Sequence, residues 1–292
     1  MSAPRATVKQ WVAGARPRTL PAAIVPVAVG TLAVRPYEVH ETRVVLALIV
    51  ALALQVGTNF ANDYSDGIRG TDERRVGPIR LVGQGLASPG AVRSAALGSY
   101  AVAAAAGVAI CFMTSFWLLP FGIAAVLAGW LYTGGPRPYG YLGLGEVFVF
   151  LFFGLMATAG SAYIQLLRVP SVVWPAAVAV GLLATILLEA NNLRDITGDT
   201  AAGKRTIAVR LGRTSAGRFV VVLCVGVAVA IVLAGLQRPW ALIALLGLPP
   251  LVPLCRLSLS SAEGADLLPM LPSAARAQLL VGALLAVGLG NA

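Results

Sequence analysis

Charged side chains are scarce in this 292-residue chain, and their scarcity excludes an ordinary soluble domain. Only 12% of the residues are charged and 58% are hydrophobic, whereas about a quarter of the residues in a soluble domain are charged. The composition therefore predicts an integral membrane protein. The net charge of +10 does not indicate a nucleic-acid partner, because the arginines fall between apolar segments and do not alternate with aromatic residues.

Apolar runs recur along the whole chain, each close to the ~20 residues that cross a bilayer core. They predict an all-α integral membrane protein with about nine transmembrane helices around a central cavity, in a single domain over residues 1–292. The predicted segments are 18–35, 43–61, 92–112, 116–133, 146–165, 172–190, 217–236, 240–257 and 277–291.

Lysine and arginine are distributed unevenly between the two sides of these segments. With the N-terminus inside, eighteen of the 22 basic residues fall on the inner side, and only Arg35, Arg43, Arg168 and Arg238 fall on the outer side. Because positively charged loops stay in the cytoplasm, we predict a multi-pass protein of the cell membrane. Its N-terminus is expected in the cytoplasm and its C-terminus outside.

Histidine and cysteine are also scarce. The single histidine, His40, lies in a predicted outer loop, so a histidine-based triad or a histidine-ligated metal is excluded at the inner side. Cys111, Cys224 and Cys255 lie in or beside apolar runs at unrelated spacings. They predict small buried side chains and support neither a disulfide framework nor a metal cluster.

Two polar blocks each follow a long apolar run. Residues 59–66 and 191–199 hold four of the chain's five asparagines together with several aspartates. Aspartate at the edge of a membrane is costly to desolvate and usually has a function. The blocks are similarly built, with Asp66 and Asp195 separated by 129 positions, which suggests an internal repeat around one site on the cytoplasmic side.

The spacing within the blocks predicts the chemistry. Asn191, Asp195 and Asp199 recur every four residues and share one helix face, and Asn62 and Asp66 repeat that step. Carboxylates that converge in low dielectric need a cation. Oxygen ligands favour Mg²⁺, which usually completes its shell with water and phosphate oxygens. We therefore expect a phosphate-bearing substrate. The basic residues suited to its remaining charge are Arg69, Arg74, Arg75, Arg80, Lys204 and Arg205.

The intact Asn-x-x-x-Asp-x-x-x-Asp pattern at 191–199, the second Asn-Asp block and the helix count resemble the UbiA-type intramembrane prenyltransferases. Other stretches are similar to the branch of that family that acts on 1,4-dihydroxy-2-naphthoate in menaquinone synthesis. These stretches are residues 16–21, 62–72, 77–82, Tyr-Thr-Gly-Gly-Pro at 132–136, Pro-Tyr-Gly-Tyr at 138–141 and Gly-Leu-Gly-Glu at 143–146. The first block departs from the second, because Gly70 stands four residues after Asp66 and the next acid is Asp72.

The resemblance implies a UbiA-type helix bundle that transfers a polyprenyl group from polyprenyl diphosphate to 1,4-dihydroxy-2-naphthoate. The naphthoate loses its carboxyl group, the product is demethylmenaquinone, and membrane lipid surrounds the site. Mg²⁺ would stabilise the charge of the diphosphate leaving group. The residues implied to hold the metal are Asp63, Asp66, Asp72, Asp195 and Asp199, of which Asp66 and Asp195 are also the implied catalytic acids.

The other implied site residues contact the substrates. Tyr132 and Tyr139 are candidates to shelter an allylic cation with their π-faces. With no histidine available, a carboxylate or the released diphosphate would assist the loss of a proton or of the carboxyl group. The implied substrate-binding residues are Asn62, Asn191, Asn192, Arg69, Arg74, Arg80, Lys204, Arg205 and Glu146.

Several alternatives stay open. Asn and Asp can cap a helix end, the arginines can serve only as topology signals, and the tyrosines can lie in an interfacial belt. The acceptor can be 4-hydroxybenzoate, homogentisate, haem or a sugar phosphate. A secondary transporter also carries acids and repeated halves, but the basic residues beside these acids suit a diphosphate better than a translocated ion. A membrane receptor would need no such metal site.

Overall fold

A computed structural model describes residues 6–71 and 79–291, and these residues form helices and connecting turns without any strand. This confirms the all-α fold class. The helices are α1 (Val8–Gly14), α2 (Pro21–Leu32), α3 (Glu41–Ile68), α4 (Pro89–Met113), α5 (Leu119–Leu131), α6 (Gly145–Val149), α7 (Ala157–Leu166), α8 (Val173–Ala201), α9 (Ile207–Gly235), α10 (Leu251–Leu259) and α11 (Met270–Gly290). Short 3₁₀ segments lie at Pro17–Thr19, Phe116–Leu118, Tyr139–Leu142, Pro239–Gly247 and Gly264–Leu267, and a π-helical segment, Phe150–Met156, joins α6 to α7.

The apolar helices fall into three groups by length. Within the described ranges six are long and apolar enough to cross a membrane, namely Glu41–Ile68, Pro89–Met113, Gly145–Leu166, Val173–Ala201, Ile207–Gly235 and Gly264–Gly290. Pro239–Gly247 and Leu251–Leu259 form a pair bent by 54°, which makes a seventh if it is one span. Pro21–Leu32 and Phe116–Leu131 are shorter. Each predicted segment overlaps one of these helices, but nine crossings are not confirmed.

Helix α8 lies at the centre of the bundle. In its most apolar window 72% of the residues are buried, against 33–44% for the other long helices. Its packing surface is made of small side chains such as Ala176, Ala177 and Val180, which lets the neighbouring helices approach closely. The central position of α8 carries the second polar block, at its C-terminal end, into the interior of the protein.

One close approach of a neighbouring segment to α8 involves two glycines. A Cβ added to Gly154, in the π-helical segment, would lie only 2.4 Å from the Cα of Gly181 on α8. The π-helical segment brings its backbone against α8 at this point, and such segments often occur near functional sites. The two glycines therefore fix how closely the aromatic residues of α6 and the π-helical segment approach α8.

We predict that Gly154→Ala destabilises the fold, because its Cβ would overlap backbone atoms that cannot move independently. Overpacking of this kind costs about 1–3 kcal/mol. The matched control is Gly98→Ala on α4, where a Cβ meets nothing within 4 Å and the helix propensity of alanine is favourable. The midpoint of thermal unfolding in detergent should fall for Gly154→Ala and not for Gly98→Ala. Equal midpoints would contradict the close approach.

Candidate active site

Both polar blocks are helical and end in the same backbone motif. Helices α3 and α8 continue through the blocks and stop before Gly70 and Gly203, each with a positive φ of 72°. The N–H of Thr71 donates to the carbonyl oxygen of Asp66 at 3.2 Å, and that of Lys204 to the carbonyl oxygen of Asp199 at 2.8 Å. The N–H of Gly70 also donates to the carbonyl oxygen of Gly67, and that of Gly203 to the carbonyl oxygen of Thr200. Each helix therefore ends in a Schellman motif.

The shared motif changes how the two blocks correspond. Asp66 and Asp199 occupy the same position before their caps, so the equivalent acids are 133 residues apart. The sequence pattern alone pairs Asp66 with Asp195, which lies one helical turn before Asp199. When the blocks are aligned by Asp66 and Asp195, Gly70 stands where the second block has Asp199. When they are aligned by their helix ends, Gly70 matches Gly203, because each supplies the left-handed conformation that a Cβ disfavours.

One ammonium group lies between these equivalent acids. The Nζ of Lys204 is 3.8 Å from Oδ2 of Asp66 and 3.6 Å from Oδ1 of Asp199, and all three side chains are buried. The cap explains the position of the lysine, because the reversal at Gly203 turns Lys204 back over the end of α8. The structure therefore brings the two blocks to a single cation.

Asp195 has a different partner. Its two oxygens accept from Nε and Nη2 of Arg194 at 2.6 and 2.7 Å, a bidentate pair formed by adjacent residues. Arg194 lines the central cavity, and Asp195 is not among its lining residues. The four-residue spacing correctly predicts that Asn191, Asp195 and Asp199 share a helix. It does not predict that Arg194 would form a salt bridge with Asp195.

Asp63 holds a backbone segment. Its oxygens accept from the N–H groups of Leu81 and Val82 at 2.8 and 3.0 Å, and its side chain is 1% exposed. It is not a cavity-lining residue. The prediction that Asp63 binds metal therefore has no support from this geometry. Its role here is to fix the segment that carries Arg80, which does line the cavity.

The linker from 132 to 144, between α5 and α6, contacts the first block and the residues that follow the second. The hydroxyl of Tyr141 donates to Oδ1 of Asp66 at 2.7 Å, and the carbonyl oxygen of Tyr141 accepts from the N–H of Arg205 at 2.8 Å. Lys204 Nζ lies 4.6 Å from the centre of the Tyr141 ring. Burial, followed by the nearby charge of Asp66, raises the pKa of Tyr141, so its hydroxyl remains a donor.

The same linker is tied to α3 at its other end. The hydroxyl of Thr133 donates to Oδ1 of Asn62 at 2.8 Å, and the guanidinium of Arg69 donates to the carbonyl oxygens of Thr133 and Gly135. Arg69 is therefore bound to the linker and is not a cavity-lining residue. The side chain of Arg205 is exposed, and only its backbone contacts the linker among the hydrogen bonds described.

Two further acids, Glu146 and Glu189, are buried nearby. Glu146 is 3% exposed, and its Oε1 accepts from Nδ2 of Asn192 at 2.7 Å. Glu189 is fully buried and interacts with Glu146. Asn191 instead donates its Nδ2 to the carbonyl oxygen of Leu187 in its own helix, at 2.9 Å.

An aromatic wall extends from the linker along the next helix. The rings of Tyr132 and Tyr139 meet edge to face with centroids 5.5 Å apart, Tyr139 stacks on Phe148 at 4.1 Å, and Phe148 is 5.9 Å from Phe152. All four line the cavity. Sequence reasoning identified the two tyrosines and missed the two phenylalanines, although their spacing of four residues is a helical signal.

These side chains enclose a cavity of about 1650 Å³. One end is polar, with Asp66, Asp199 and Lys204, and the rest is largely apolar, with residues such as Val27 and Ile164. Of the predicted residues, the cavity is lined by Asn62, Asp66, Arg80, Tyr132, Tyr139, Asn191, Asn192, Asp199 and Lys204. Asp63, Arg69, Glu146, Asp195 and Arg205 do not line it. Asp72, Arg74 and Arg75 lie outside the described residues.

The ligand set at the polar end is made of oxygen atoms. In residues 6–71 and 79–291, no three metal-ligating side chains of the His, Cys, Asp or Glu types converge. Asp66 and Asp199 nevertheless converge on one positive charge. Two carboxylates suit a hard cation that takes its other ligands from phosphate and water, and do not suit a closed structural zinc site.

Known proteins that are similar in sequence identify the family. The sequence model of the UbiA prenyltransferase family matches residues 23–263. This chain belongs to the UbiA prenyltransferase family. Two curated family members, each named 1,4-dihydroxy-2-naphthoate octaprenyltransferase, are 45% identical to it. The one from Mycobacterium leprae aligns over 267 residues, 91% of each chain, and the one from Mycobacterium tuberculosis over 276 residues, 94% of each chain.

A solved structure shares the UbiA fold. The UbiA homolog from Archaeoglobus fulgidus bound to DMAPP and Mg²⁺ has a TM-score of 0.66 and 17% identity, covering 95% of this chain and 99% of that one. At this identity the likeness concerns the fold.

We predict that Asp63→Asn lowers stability without removing metal binding, because Asn keeps one acceptor for the two N–H groups of Leu81 and Val82. An unsatisfied buried donor costs about 1–3 kcal/mol. Asp199→Asn, by contrast, removes a carboxylate from the polar end of the cavity. Thermal unfolding should show a lower midpoint for Asp63→Asn with an undiminished rise on adding Mg²⁺ and pyrophosphate. That rise should shrink for Asp199→Asn, and the opposite pattern would make Asp63 a ligand.

Proposed function

We propose that this UbiA-family protein transfers a polyprenyl group from polyprenyl diphosphate to 1,4-dihydroxy-2-naphthoate, which loses carbon dioxide and yields the demethylmenaquinone skeleton. The observation that carries the proposal is the convergence of Asp66 and Asp199 on one cation at the polar end of a long apolar cavity. The names and the near-complete coverage of the two mycobacterial relatives support the naphthoate as acceptor.

A divalent cation, with Mg²⁺ as the expected ion, suits the polar end. Asp66 and Asp199 would hold it, with Asp195 as a further candidate ligand. When bound, the ion supplies Lewis-acid stabilisation of the negative charge that develops on the diphosphate. The Archaeoglobus fulgidus homolog was solved with DMAPP and Mg²⁺ bound together, which supports the same combination of prenyl diphosphate and ion here.

Cationic side chains are positioned for the rest of the diphosphate charge. Lys204, Arg80 and Arg194 all line the cavity. The allylic C–O bond breaks and its electron pair leaves with the diphosphate, so these cations favour the bond-breaking direction. The lysine already lies between the two acids and can reach phosphate oxygens bound there.

The aromatic wall is suited to the electrophilic carbon. Tyr139 and Phe148 stack on each other and both line the cavity, and cation–π stabilisation of an allylic cation by such rings reaches ~2 kcal/mol once the cation is desolvated. A ring carbon of the naphthoate forms the new C–C bond, and the carboxyl group leaves as carbon dioxide. Burial raises the pKa of Tyr132 and Tyr139, so both hydroxyls stay neutral and add no competing anion.

The apolar length of the cavity suits the prenyl tail. Its volume of about 1650 Å³ exceeds the ~300–1000 Å³ of most small-molecule sites. Small side chains such as Ala103, Gly107 and Gly122 line it and leave room for an isoprenoid chain.

We predict that membranes containing this protein form demethylmenaquinone from 1,4-dihydroxy-2-naphthoate and a polyprenyl diphosphate, and that EDTA abolishes the activity. Asp66→Ala should lower turnover by at least about 10²-fold, because an oxygen ligand worth several kcal/mol is lost. Asp266→Ala, an exposed acid outside the cavity lining, is the matched control and should retain turnover. Product is measured by chromatography. Preference for 4-hydroxybenzoate over the naphthoate would overturn the assigned acceptor.

The excess of basic residues on one side also supports insertion into the cell membrane with the N-terminus and the active site in the cytoplasm. In a variant without native cysteines, Glu38→Cys should react with a membrane-impermeant maleimide added to intact cells. Ser215→Cys should react only after the cells are opened, because it follows the basic segment at 204–213. Both positions are exposed. The reverse labelling pattern would reverse the assigned orientation.

A further inference from the structure

The geometry points to a hydroxyl-binding position for the aromatic acceptor at Asn192. We propose that Glu146 fixes the Asn192 amide with its carbonyl oxygen toward the cavity, and that this oxygen accepts a hydrogen bond from a hydroxyl group of the acceptor. Glu146 is thus a positioning residue that acts through Asn192. The inference rests on the proposed function and identifies which part of the cavity takes the aromatic substrate.

The orientation of the amide follows from its partner. A carboxylate has acceptor atoms only, so it is satisfied by an NH₂ group and repelled by a carbonyl oxygen. Glu146 Oε1 therefore accepts a hydrogen bond from Nδ2 of Asn192 at 2.7 Å, and the amide oxygen of Asn192 points away from Glu146. Asn192 lines the cavity, whereas Glu146 is 3% exposed and does not line it. The acid can influence a bound molecule only through the amide.

An amide oxygen selects a particular class of group. The oxygens of a diphosphate or of a substrate carboxylate are themselves acceptors and find no donor there. A hydroxyl group matches the amide oxygen, and an acceptor with two ring hydroxyls supplies one. The site thus distinguishes the aromatic diol from the prenyl diphosphate, which needs the cations at the polar end.

The position along α8 separates the two substrates. Asn192 precedes Asp199 by seven residues, which is roughly 10 Å along a helix. Tyr132, whose ring lies 3.2 Å from the position that a Cβ on Gly145 would take, beside Glu146, also lines the cavity. The aromatic wall continues from Tyr132 through Tyr139. A planar ring at this depth would lie against the wall, with the diphosphate held nearer the end of the helix.

Neighbouring residues provide internal contrasts. Asn191 also lines the cavity, but its Nδ2 is bonded to Leu187 in its own helix, so its orientation does not depend on Glu146. Glu189 interacts with Glu146, is fully buried and does not line the cavity. It makes no hydrogen bond to Asn192 among the described residues. Glu189→Gln therefore repeats the chemical change of Glu146→Gln without touching the amide.

The first experiment compares these two variants. In Glu146→Gln the new amide can donate as well as accept, so Asn192 loses its fixed orientation. We expect the KM for 1,4-dihydroxy-2-naphthoate to rise about tenfold, the loss expected for one hydrogen bond to a fixed acceptor, while the KM for polyprenyl diphosphate stays within about twofold. Glu189→Gln should leave both values near those of the wild type. An unchanged naphthoate KM in Glu146→Gln, or an equal rise for both substrates, would overturn the proposal.

The second experiment exchanges the two functional groups. In the double variant Glu146→Gln/Asn192→Asp, the amide at 146 donates to one carboxylate oxygen at 192 and leaves the other facing the cavity. The naphthoate KM of the double variant should return to within about threefold of the wild type. Asn192→Asp alone places two carboxylates together, so its naphthoate KM should be higher than that of Glu146→Gln or of the double variant. A double variant that shows the summed loss of both single changes would contradict the orienting role. If thermal unfolding shows that Glu146→Gln does not fold, the naphthoate KM of the double variant is the test of the proposal.

Direct binding separates this inference from the proposed reaction. The affinity of purified protein for 1,4-dihydroxy-2-naphthoate is measured without prenyl donor, beside the affinity for its 1,4-dimethoxy analogue. The wild type should favour the diol about tenfold, and Glu146→Gln should remove most of that preference. If the wild type shows the preference but no prenyl transfer, the proposed function fails and this inference stands. If transfer occurs and neither protein distinguishes the two compounds, the inference fails alone.

Discussion

The site depends on two carboxylates from different helices that share one ammonium group. Asp66 and Asp199 lie at buried helix ends, where an uncompensated charge would be costly. Lys204 lets the ends of α3 and α8 approach each other by placing a positive charge between them. In the proposed function Asp66 and Asp199 would hold a metal ion and Lys204 would bind phosphate oxygens, so one ammonium group would serve both the folded protein and the bound diphosphate.

Backbone geometry places that charge. The matching Schellman motifs set the distance between each aspartate and the reversal of the chain, and in α8 the reversal delivers Lys204 to the acid of its own helix. The caps satisfy the last carbonyl groups, which would otherwise be unpaired inside a membrane protein. A requirement of the helix ends thus also determines which acids face each other, and it identifies Asp66 and Asp199 as the equivalent pair.

Local patterns predicted much of this molecule. Run length identified the apolar helices, and the four-residue spacing of Asn191, Asp195 and Asp199 correctly predicted a shared helix, because both signals depend only on neighbours in sequence. The partners of individual side chains were harder to predict. Asp63 bonds to backbone groups 18 and 19 residues away, and Tyr141 reaches Asp66 across 75 positions. No periodicity encodes such contacts, so the sequence does not predict the backbone partners of Asp63 or the contact of Tyr141 with Asp66.

The linker between α5 and α6 is hydrogen-bonded to Asn62 and Asp66 at the end of α3 and to the backbone of Arg205 beyond α8. Spanning helices tilt when the thickness of the surrounding bilayer changes. Because a single short segment ties both helix ends together, a change in tilt would be taken up toward the opposite leaflet, away from the acids. The linker would thereby hold the spacing of the two acids constant in membranes of different thickness.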